Sequence, residues 1–319
     1  MTPGRRTATR DTTHPREPQQ STAGDMPVPA EAEAGRLVEI IQRRDRHAAG
    51  RGTKRTVTNP VVRTMFVLER LASAPQGLGV SELAAAMHVN KAIAFRVLAS
   101  LQGMGFVEKD PLTLRYGLTL KLASLAFALI DSQGLEDICQ PFLDQLADES
   151  GELVQLAVVD GTDMIFVAKA QGNQRVKVTP LLGRRAALHA SAGGKVWLAS
   201  LPEEKAIEII LSHGLTPLTP RTLTRVEDLR QEWERVRHHG YGTVVGEYWA
   251  DVNSVGAPIR VGPHRQVVAA VSVAGPASRF SEDRLGAFAP RVIAAADAIG
   301  QVWPRTVSVT ADLVKSRRG

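Results

Sequence analysis

The chain has 319 residues, enough for two domains, and its hydrophobic fraction of 44% and charged fraction of 23% lie near the averages of globular proteins. These values exclude a wholly disordered chain. The net charge is +6, and residues 1–55, with 11 basic and 7 acidic side chains, and residues 56–121, with 7 and 4, carry the excess. We therefore expect a polyanionic partner for the first third of the chain, with a solvated basic arm as the alternative.

The single cysteine, Cys139, excludes disulfide frameworks, iron–sulfur clusters and cysteine-rich zinc sites within one chain. No run approaches the roughly 18 consecutive apolar residues that a membrane span needs. Residues 1–30 have no apolar segment of the secretory type. We expect a cytoplasmic protein without a membrane partner.

The N-terminal extension, residues 1–55, begins with a stretch rich in Thr, Pro, Arg and Gln. This composition predicts disorder over residues 1–28, because too little apolar surface is available to offset the entropy of ordering. An amphipathic pattern over residues 30–46 predicts a short helix, which Gly50 and Gly52 would end. We expect the extension to be an appendage or a partner-facing arm.

Residues 56–118 have the pattern of a winged helix-turn-helix. Apolar residues recur at helical spacing in three segments, 61–72, 80–87 and 93–101. Asn90 is a favourable N-cap for the third helix. A short hairpin follows, over residues 106–109 and 116–118.

The third predicted helix has a polar face that could read DNA. If Ile93, Val97, Leu98 and Leu101 face the core, the opposite face holds Ala92, Phe95 and Arg96, with Lys91 at the N-terminal end. Lys109 and Arg115, the two basic residues of the hairpin, could bind the phosphates of DNA. The candidate DNA-binding residues are therefore Lys91, Ala92, Phe95, Arg96, Lys109 and Arg115. The alternative is a structural three-helix module that docks a protein.

A leucine repeat predicts a linker helix over residues 119–134, beginning near Leu118 and closed by Gly134. An apolar stripe over residues 135–147 then predicts the first helix of a second domain. Cys139 lies within that stripe, so we expect a small core residue and not a nucleophile.

Residues 135–304 predict a mainly antiparallel α+β domain of sensor type. Asp160-Gly161 separates two strand-like runs, the pattern of a hairpin. In total the strand-like runs cover residues 153–159, 164–168, 176–179, 243–245, 255–261 and 267–273. Helical patterns cover residues 191–200, 203–212, 226–238 and 282–303. Residues 224–227 predict a capping box before the third of these helices, and residues 305–319 are expected to be a tail.

Several stretches, in the expected order over residues 58–304, resemble the IclR-type bacterial transcription regulators. Those of the first domain are residues 80–84, 95–101 and 105–108, and those of the second are 188–199, 240–247, 257–259 and 271–276. The resemblance implies a winged helix-turn-helix that binds operator DNA and a GAF-like domain that binds a small organic or aromatic acid. It also implies a homodimer or homotetramer. The sequence departs from the family at Lys91 and Ala92, where a Ser or Thr is usual, which puts the operator sequence in doubt.

The resemblance also implies an effector site. Residues 191–194 enter a helix, where free backbone N–H groups attract anions, although the two glycines there could simply allow close packing. Carried over by position, the effector contacts fall on Ala192, Gly193, Val244, Ser254, Ser272 and Ala274. Because Val244 and Ala274 replace residues that can be polar in relatives, we expect an apolar pocket that favours an aromatic or longer-chain acid.

Lys195 and His189 flank the same turn. A cation beside an anion pocket is attractive, but we favour the alternative in which Lys195 points to solvent and His189 holds the loop. Glu247 and Asp251 could form a carboxylate pair, but no catalytic or cofactor motif accompanies them.

The sequence therefore predicts a ligand-responsive DNA-binding regulator, repressor or activator, of a catabolic operon, without enzymatic activity, metal or cofactor. The alternative is a metabolite-binding protein or enzyme whose N-terminal module serves protein interaction.

Overall fold

The computed structural model describes residues 59–304. It divides into two compact units between Ser124 and Leu125, and each is described by itself. The predicted disorder over residues 1–28, the predicted helix over residues 30–46 and the predicted tail over residues 305–319 lie outside the described residues.

The first unit has the predicted three helices and hairpin. Its elements are α1 (Pro60–Ala72), α2 (Val80–Ala86), α3 (Lys91–Gly103), β1 (Val107–Lys109) and β2 (Tyr116–Leu118). Asn59 and Asn90 cap α1 and α3, because each side-chain Oδ1 accepts a backbone N–H of the first turn, from Val61 and from Ile93 at 2.9 Å. The two strands pair antiparallel. The winged helix-turn-helix is confirmed.

A small core holds this unit together. Val67 of α1, Leu83 of α2 and Leu98 of α3 are completely buried. Ala94 also belongs to this core, whereas Ile93, which we expected there, is only half-buried. The buried stripe of α3 is therefore turned slightly from the predicted one, while its exposed face is unchanged.

Helix α4 spans Lys121–Gln133 and crosses the division between the units. The prediction that it begins near Leu118 is wrong, because Leu118 ends β2, where it pairs with Val107. The Thr119 hydroxyl and the Lys121 ammonium bond to the carbonyls of Gly105 and Met104, at 2.6 and 2.5 Å, which ties the start of the helix to the end of α3.

The second unit is an antiparallel five-stranded sheet with helices on both faces. Its elements are α5 (Leu135–Ser150), β3 (Leu153–Asp160), β4 (Asp163–Gln171), α6 (Ala192–Ser200), α7 (Glu203–His213), α8 (Val226–His239), β5 (Gly242–Val245), β6 (Val252–Val261), β7 (Gln266–Pro276) and α9 (Glu282–Val302). The strand order is β4-β3-β7-β6-β5, and every neighbouring pair is antiparallel. The α+β class with a GAF-like sheet is confirmed.

Successive side chains along each strand point to opposite faces of the sheet, so the core has two layers, one on each face. On one face, residues such as Val154, Val255 and Val271 pack with α5 and α9. On the other face, Ala157 and Ala270 pack with α6, α7 and α8. The second layer carries the candidate effector site. No helix among residues 59–304 is long and apolar enough to cross a membrane.

Two local predictions are wrong. Residues 176–179 form no strand, since the free edge of β4 is bridged further along the chain: Ile165 pairs with Arg185, and the Gly183 N–H donates to the Phe166 carbonyl at 2.8 Å. The capping box also fails, because the N-cap of α8 is Arg225 and makes no side-chain cap bond.

The buried environment of Cys139 leads to the first prediction. The side chain has no exposed surface, and burial raises the pKa of its thiol to about 11. Because the thiolate is the reactive form, we expect negligible alkylation by iodoacetamide at pH 8 in the native protein and rapid alkylation after unfolding in urea. Mass spectrometry of intact protein measures both, and rapid labelling without denaturant would contradict burial in the core.

Candidate DNA-binding face and candidate effector site

The exposed face of α3 presents the residues that sequence reasoning selected. Lys91, Ala92, Phe95 and Arg96 are all exposed, and Phe95 retains 53% of its surface. Within residues 59–304 the Arg96 side chain makes no hydrogen bond or ion pair. Its guanidinium is therefore available to a partner.

The two basic residues of the hairpin differ in availability. Lys109 is exposed and lies over the Tyr116 ring, 5.7 Å from its centroid. Arg115 is already engaged, because its Nε donates to the carbonyl of Gly77 at 3.1 Å and its Nη2 pairs with Glu82 at 3.0 Å. This arginine braces the hairpin against the start of α2, which sequence reasoning did not anticipate.

The start of α6 forms the roof of the candidate effector site. Ser191 is its N-cap, and the Ser191 hydroxyl accepts the Gly194 N–H at 3.2 Å. The next N–H along, that of Lys195, donates to the Ser191 carbonyl. The N–H groups of Ala192 and Gly193 precede these bonds, where a helix leaves donors without intrahelical partners. Such a terminus favours an anionic ligand.

The floor of the site is the sheet face below α6. Cross-strand register places Val244, Ser254 and Ala274 side by side on β5, β6 and β7. One pair further along, Ser272 lies between Gly256 of β6 and Gln155 of β3. The four sheet residues selected from the sequence therefore lie on one face, in two adjacent rows.

The residues of this sheet face differ in their exposure to solvent. Val244 and Ala274 are buried, as are Ala192 and Gly193 above them. Ser254 and Ser272 are half-buried, whereas Val244, Gly256, Ala270 and Ala274 on the same face are buried. A solvent-accessible pair of hydroxyls within a closed apolar layer is typical of a small polar recess.

Glycines bring α6 close to the sheet. A Cβ at Gly256 would lie 3.0 Å from the Cβ of Ala192, and one at Gly193 would lie 3.3 Å from the Cβ of Ala270. A Cβ at Gly194 would lie 2.4 Å from the Leu188 carbonyl oxygen. The packing alternative raised for these glycines therefore holds for Gly194, which no larger residue can replace without moving the chain.

Gln155 belongs to this face and was missed by sequence reasoning. It is only 4% exposed, and its amide Nε2 has no hydrogen-bond partner among residues 59–304. Gln155 is difficult to identify from the sequence, because a single glutamine within the apolar run of β3 gives no periodic signal. A polar residue inside an otherwise apolar strand was the only available indication.

The expectation that Lys195 points to solvent is wrong. The side chain is 1% exposed, and its ammonium pairs with Glu247 at 2.6 Å and Glu232 at 3.6 Å. It also donates to the Thr243 carbonyl at 3.0 Å. Because carboxylates neutralise it, Lys195 is not a free cation for an anionic ligand either. The expectation that His189 holds a loop agrees with the structure. Its Nε2 lies 2.9 Å from the carbonyl oxygen of Thr216, in the loop after α7.

Glu247 is the member of this buried cluster whose hydrogen bonding is incomplete. Its Oε2 is buried and has no hydrogen-bond partner in the described part of the chain. Burial raises the pKa of Glu247, the neighbouring Lys195 partly opposes this rise, and the second carboxylate, Glu232, adds to it. Asp251 is exposed, so the carboxylate pair considered for Glu247 is formed with Glu232 instead.

Comparisons with known proteins agree with this architecture. The family description "IclR helix-turn-helix domain" matches residues 60–111, and "Bacterial transcriptional regulator IclR C-terminal" matches residues 127–301. The HTH-type transcriptional repressor AllR of Salmonella typhi is 30% identical over 244 residues, covering 76% of this chain and 89% of the relative.

Two solved structures are similar over 76% of this chain. An IclR transcriptional regulator from Silicibacter sp. TM1040 has a TM-score of 0.66 and 27% identity over 96% of its own length. An IclR homologue of Microbacterium hydrocarbonoxydans, solved with 4-hydroxybenzoate, has a TM-score of 0.64 and 24% identity over 98% of its length, which shows the shared fold.

A winged helix-turn-helix followed by an antiparallel sheet domain, with these family matches, identifies a ligand-responsive DNA-binding transcriptional regulator. The chain belongs to the IclR family of bacterial transcriptional regulators.

The raised pKa of Glu247 predicts a pH dependence of stability. The folded protein binds this proton more tightly than the unfolded chain, whose reference value is 4.5. The stability of the wild type relative to Glu247→Gln should therefore fall as the pH rises above 4.5, until the folded-state pKa is passed. Urea unfolding of both proteins between pH 4 and 8 measures the difference.

Glu234→Gln, the same chemical change at an exposed position of α8, is the control for the substitution itself. A difference between wild type and Glu247→Gln that grows in favour of the wild type with rising pH would contradict the direction.

Proposed function

We propose that this regulator binds operator DNA through the exposed face of α3 and is controlled by an organic acid held between α6 and the sheet. The observation that carries the effector half is the pair of half-buried serines, Ser254 and Ser272, under the N-terminus of α6. An aromatic or longer-chain acid suits this site, because Val244 and Ala274 make the surrounding floor apolar.

In the DNA half, Arg96 and Lys91 enter the major groove and Lys109 meets the phosphate backbone. Arg96 is the reading residue, because a guanidinium without a protein partner can donate two hydrogen bonds to a guanine edge. Arg115 contributes by holding the hairpin, since two of its three side-chain nitrogens are engaged by Gly77 and Glu82. Ala92 and Phe95 offer apolar contacts to thymine methyl groups.

The working unit is a homodimer or homotetramer whose winged domains bind paired half-sites. The domains are residues 56–118 for DNA, 119–134 for the linker and 135–304 for the effector. The regulated operon encodes catabolism of the acid that binds. The protein acts by binding alone, without enzymatic turnover.

Arg96→Ala should weaken binding to an operator selected from random DNA by about 1–3 kcal/mol and relax specificity at one base pair. Lys109→Ala should instead weaken binding evenly across sequences and lower the salt slope by about one. Fluorescence anisotropy at several salt concentrations separates these effects. Arg265→Ala, the same charge loss on an exposed turn of the sheet domain, is the control, and unchanged affinity of Arg96→Ala would exclude α3 as the reading helix.

An acid that binds only the folded protein raises its stability by about 2.7 kcal/mol at a hundredfold excess over Kd. We expect this from a member of a panel of aliphatic and aromatic acids that includes benzoate and 4-hydroxybenzoate. Ser254→Ala combined with Ser272→Ala should reduce the thermal shift strongly, whereas Ser278→Ala, at an exposed turn, should not. A full shift in the double variant would place the ligand elsewhere.

A further inference from the structure

The amide of Gln155 is one of the buried polar groups of the sheet domain that have no hydrogen-bond partner within residues 59–304, and it lies beside the candidate effector site. Burying a hydrogen-bond donor without an acceptor costs about 1–3 kcal/mol. The Nε2 atom of Gln155 is such a donor in the described part of the chain. The neighbouring positions of β3 on the same face, Leu153 and Ala157, are apolar and buried, so an aliphatic side chain would satisfy the packing. A buried amide at this position therefore points to a partner outside the protein chain.

The position of Gln155 relates this donor to the candidate effector site. It lies opposite Ser272 on the adjacent strand β7, and both belong to the face that packs under α6. Ser272 in turn lies opposite Gly256, whose missing Cβ would contact Ala192. Gln155 is thus at the end of the site away from β6, on the far side of Ser272.

We propose that Gln155 determines the specificity of the effector site by donating a hydrogen bond to a second oxygen of the ligand. This inference rests on the proposed function, in which the N-terminus of α6 holds the carboxylate. The helix terminus favours the charged group, whereas a neutral amide suits a neutral oxygen. The effector is therefore a carboxylic acid with a hydroxyl or carbonyl oxygen at its opposite end.

Gln155 lies close to the helix terminus in the sheet. Ala192 packs over Gly256 of β6, two strands from Gln155, and Gly193 packs over Ala270 of β7, the strand adjacent to β3. Adjacent strands are about 4.8 Å apart, so the two ends of the proposed ligand are separated by about one to two strand spacings. An aromatic acid with an oxygen in the para position is a suitable probe, because a rigid ring holds its two polar groups at opposite ends.

The test compares two acids of the same shape, 4-hydroxybenzoate and 4-methylbenzoate, by isothermal titration calorimetry on the full chain. We expect the wild type to bind the hydroxylated acid roughly tenfold more tightly, the worth of one hydrogen bond. Gln155→Met keeps the length of the side chain but removes the amide, so its preference should fall to about onefold. Gln171→Met makes the same change at an exposed position of β4 and should keep the wild-type preference.

Stability of the unliganded protein separates a role in binding from a role in the fold. Because the methionine removes a buried donor that has no protein acceptor, unliganded Gln155→Met should melt at the same temperature as the wild type or higher. A lower melting temperature with loss of both acids would show that Gln155 is structural and overturn the proposal.

The remaining outcomes distinguish this inference from the proposed function. Equal affinity of the wild type for the two acids, or a preference that persists in Gln155→Met, overturns the role of Gln155 and leaves the effector site intact. If neither acid binds but another acid of the panel stabilises the protein, the inference fails and the acid effector stands. If no acid stabilises the wild type, both fail.

Discussion

The buried ion pair between Lys195 and Glu247 is the constraint on which the packing of α6 and α8 depends. It joins α6 to the segment after β5, and Glu232 brings α8 into the same cluster. Removing one partner of such a pair typically costs about 3–5 kcal/mol, because the other charge stays buried without compensation. Because the Lys195 ammonium contacts both carboxylates, it holds α6, α8 and the segment after β5 together. It therefore also fixes the distance between α6 and the sheet.

The candidate effector site exists because of that fixed distance. Glycines at 193 and 256 let α6 approach the sheet to van der Waals contact, so the recess below its N-terminus is narrow. Ser254 and Ser272 are half-buried on the sheet face below it. A wider gap would admit water freely and weaken every hydrogen bond in the site, since electrostatic interactions are stronger where water is excluded.

Sequence reasoning succeeded where the pattern is local and failed where partners are distant. Asn90, the Asp160-Gly161 turn and the strand-like runs at residues 255–261 and 267–273 are features of a few consecutive residues, so the winged module and most of the sheet could be predicted. Lys195 and Glu247 are 52 positions apart, and no periodicity links them. A lysine in a polar-looking turn was therefore assigned to solvent. Gln155 escaped notice for the opposite reason, because its apolar neighbours define the strand and give no role to one amide.

The same cluster lies next to the N-terminus of α6, where we propose that the effector binds. Ala192 and Lys195 are less than one helical turn apart on α6, so a displacement of the helix terminus also displaces the ammonium relative to Glu247. Glu247 already has one oxygen without a partner, and a small displacement changes the energy of a short buried contact steeply. An effector bound at this terminus, as proposed, would therefore act on the contacts that hold α6, α8 and the segment after β5 together.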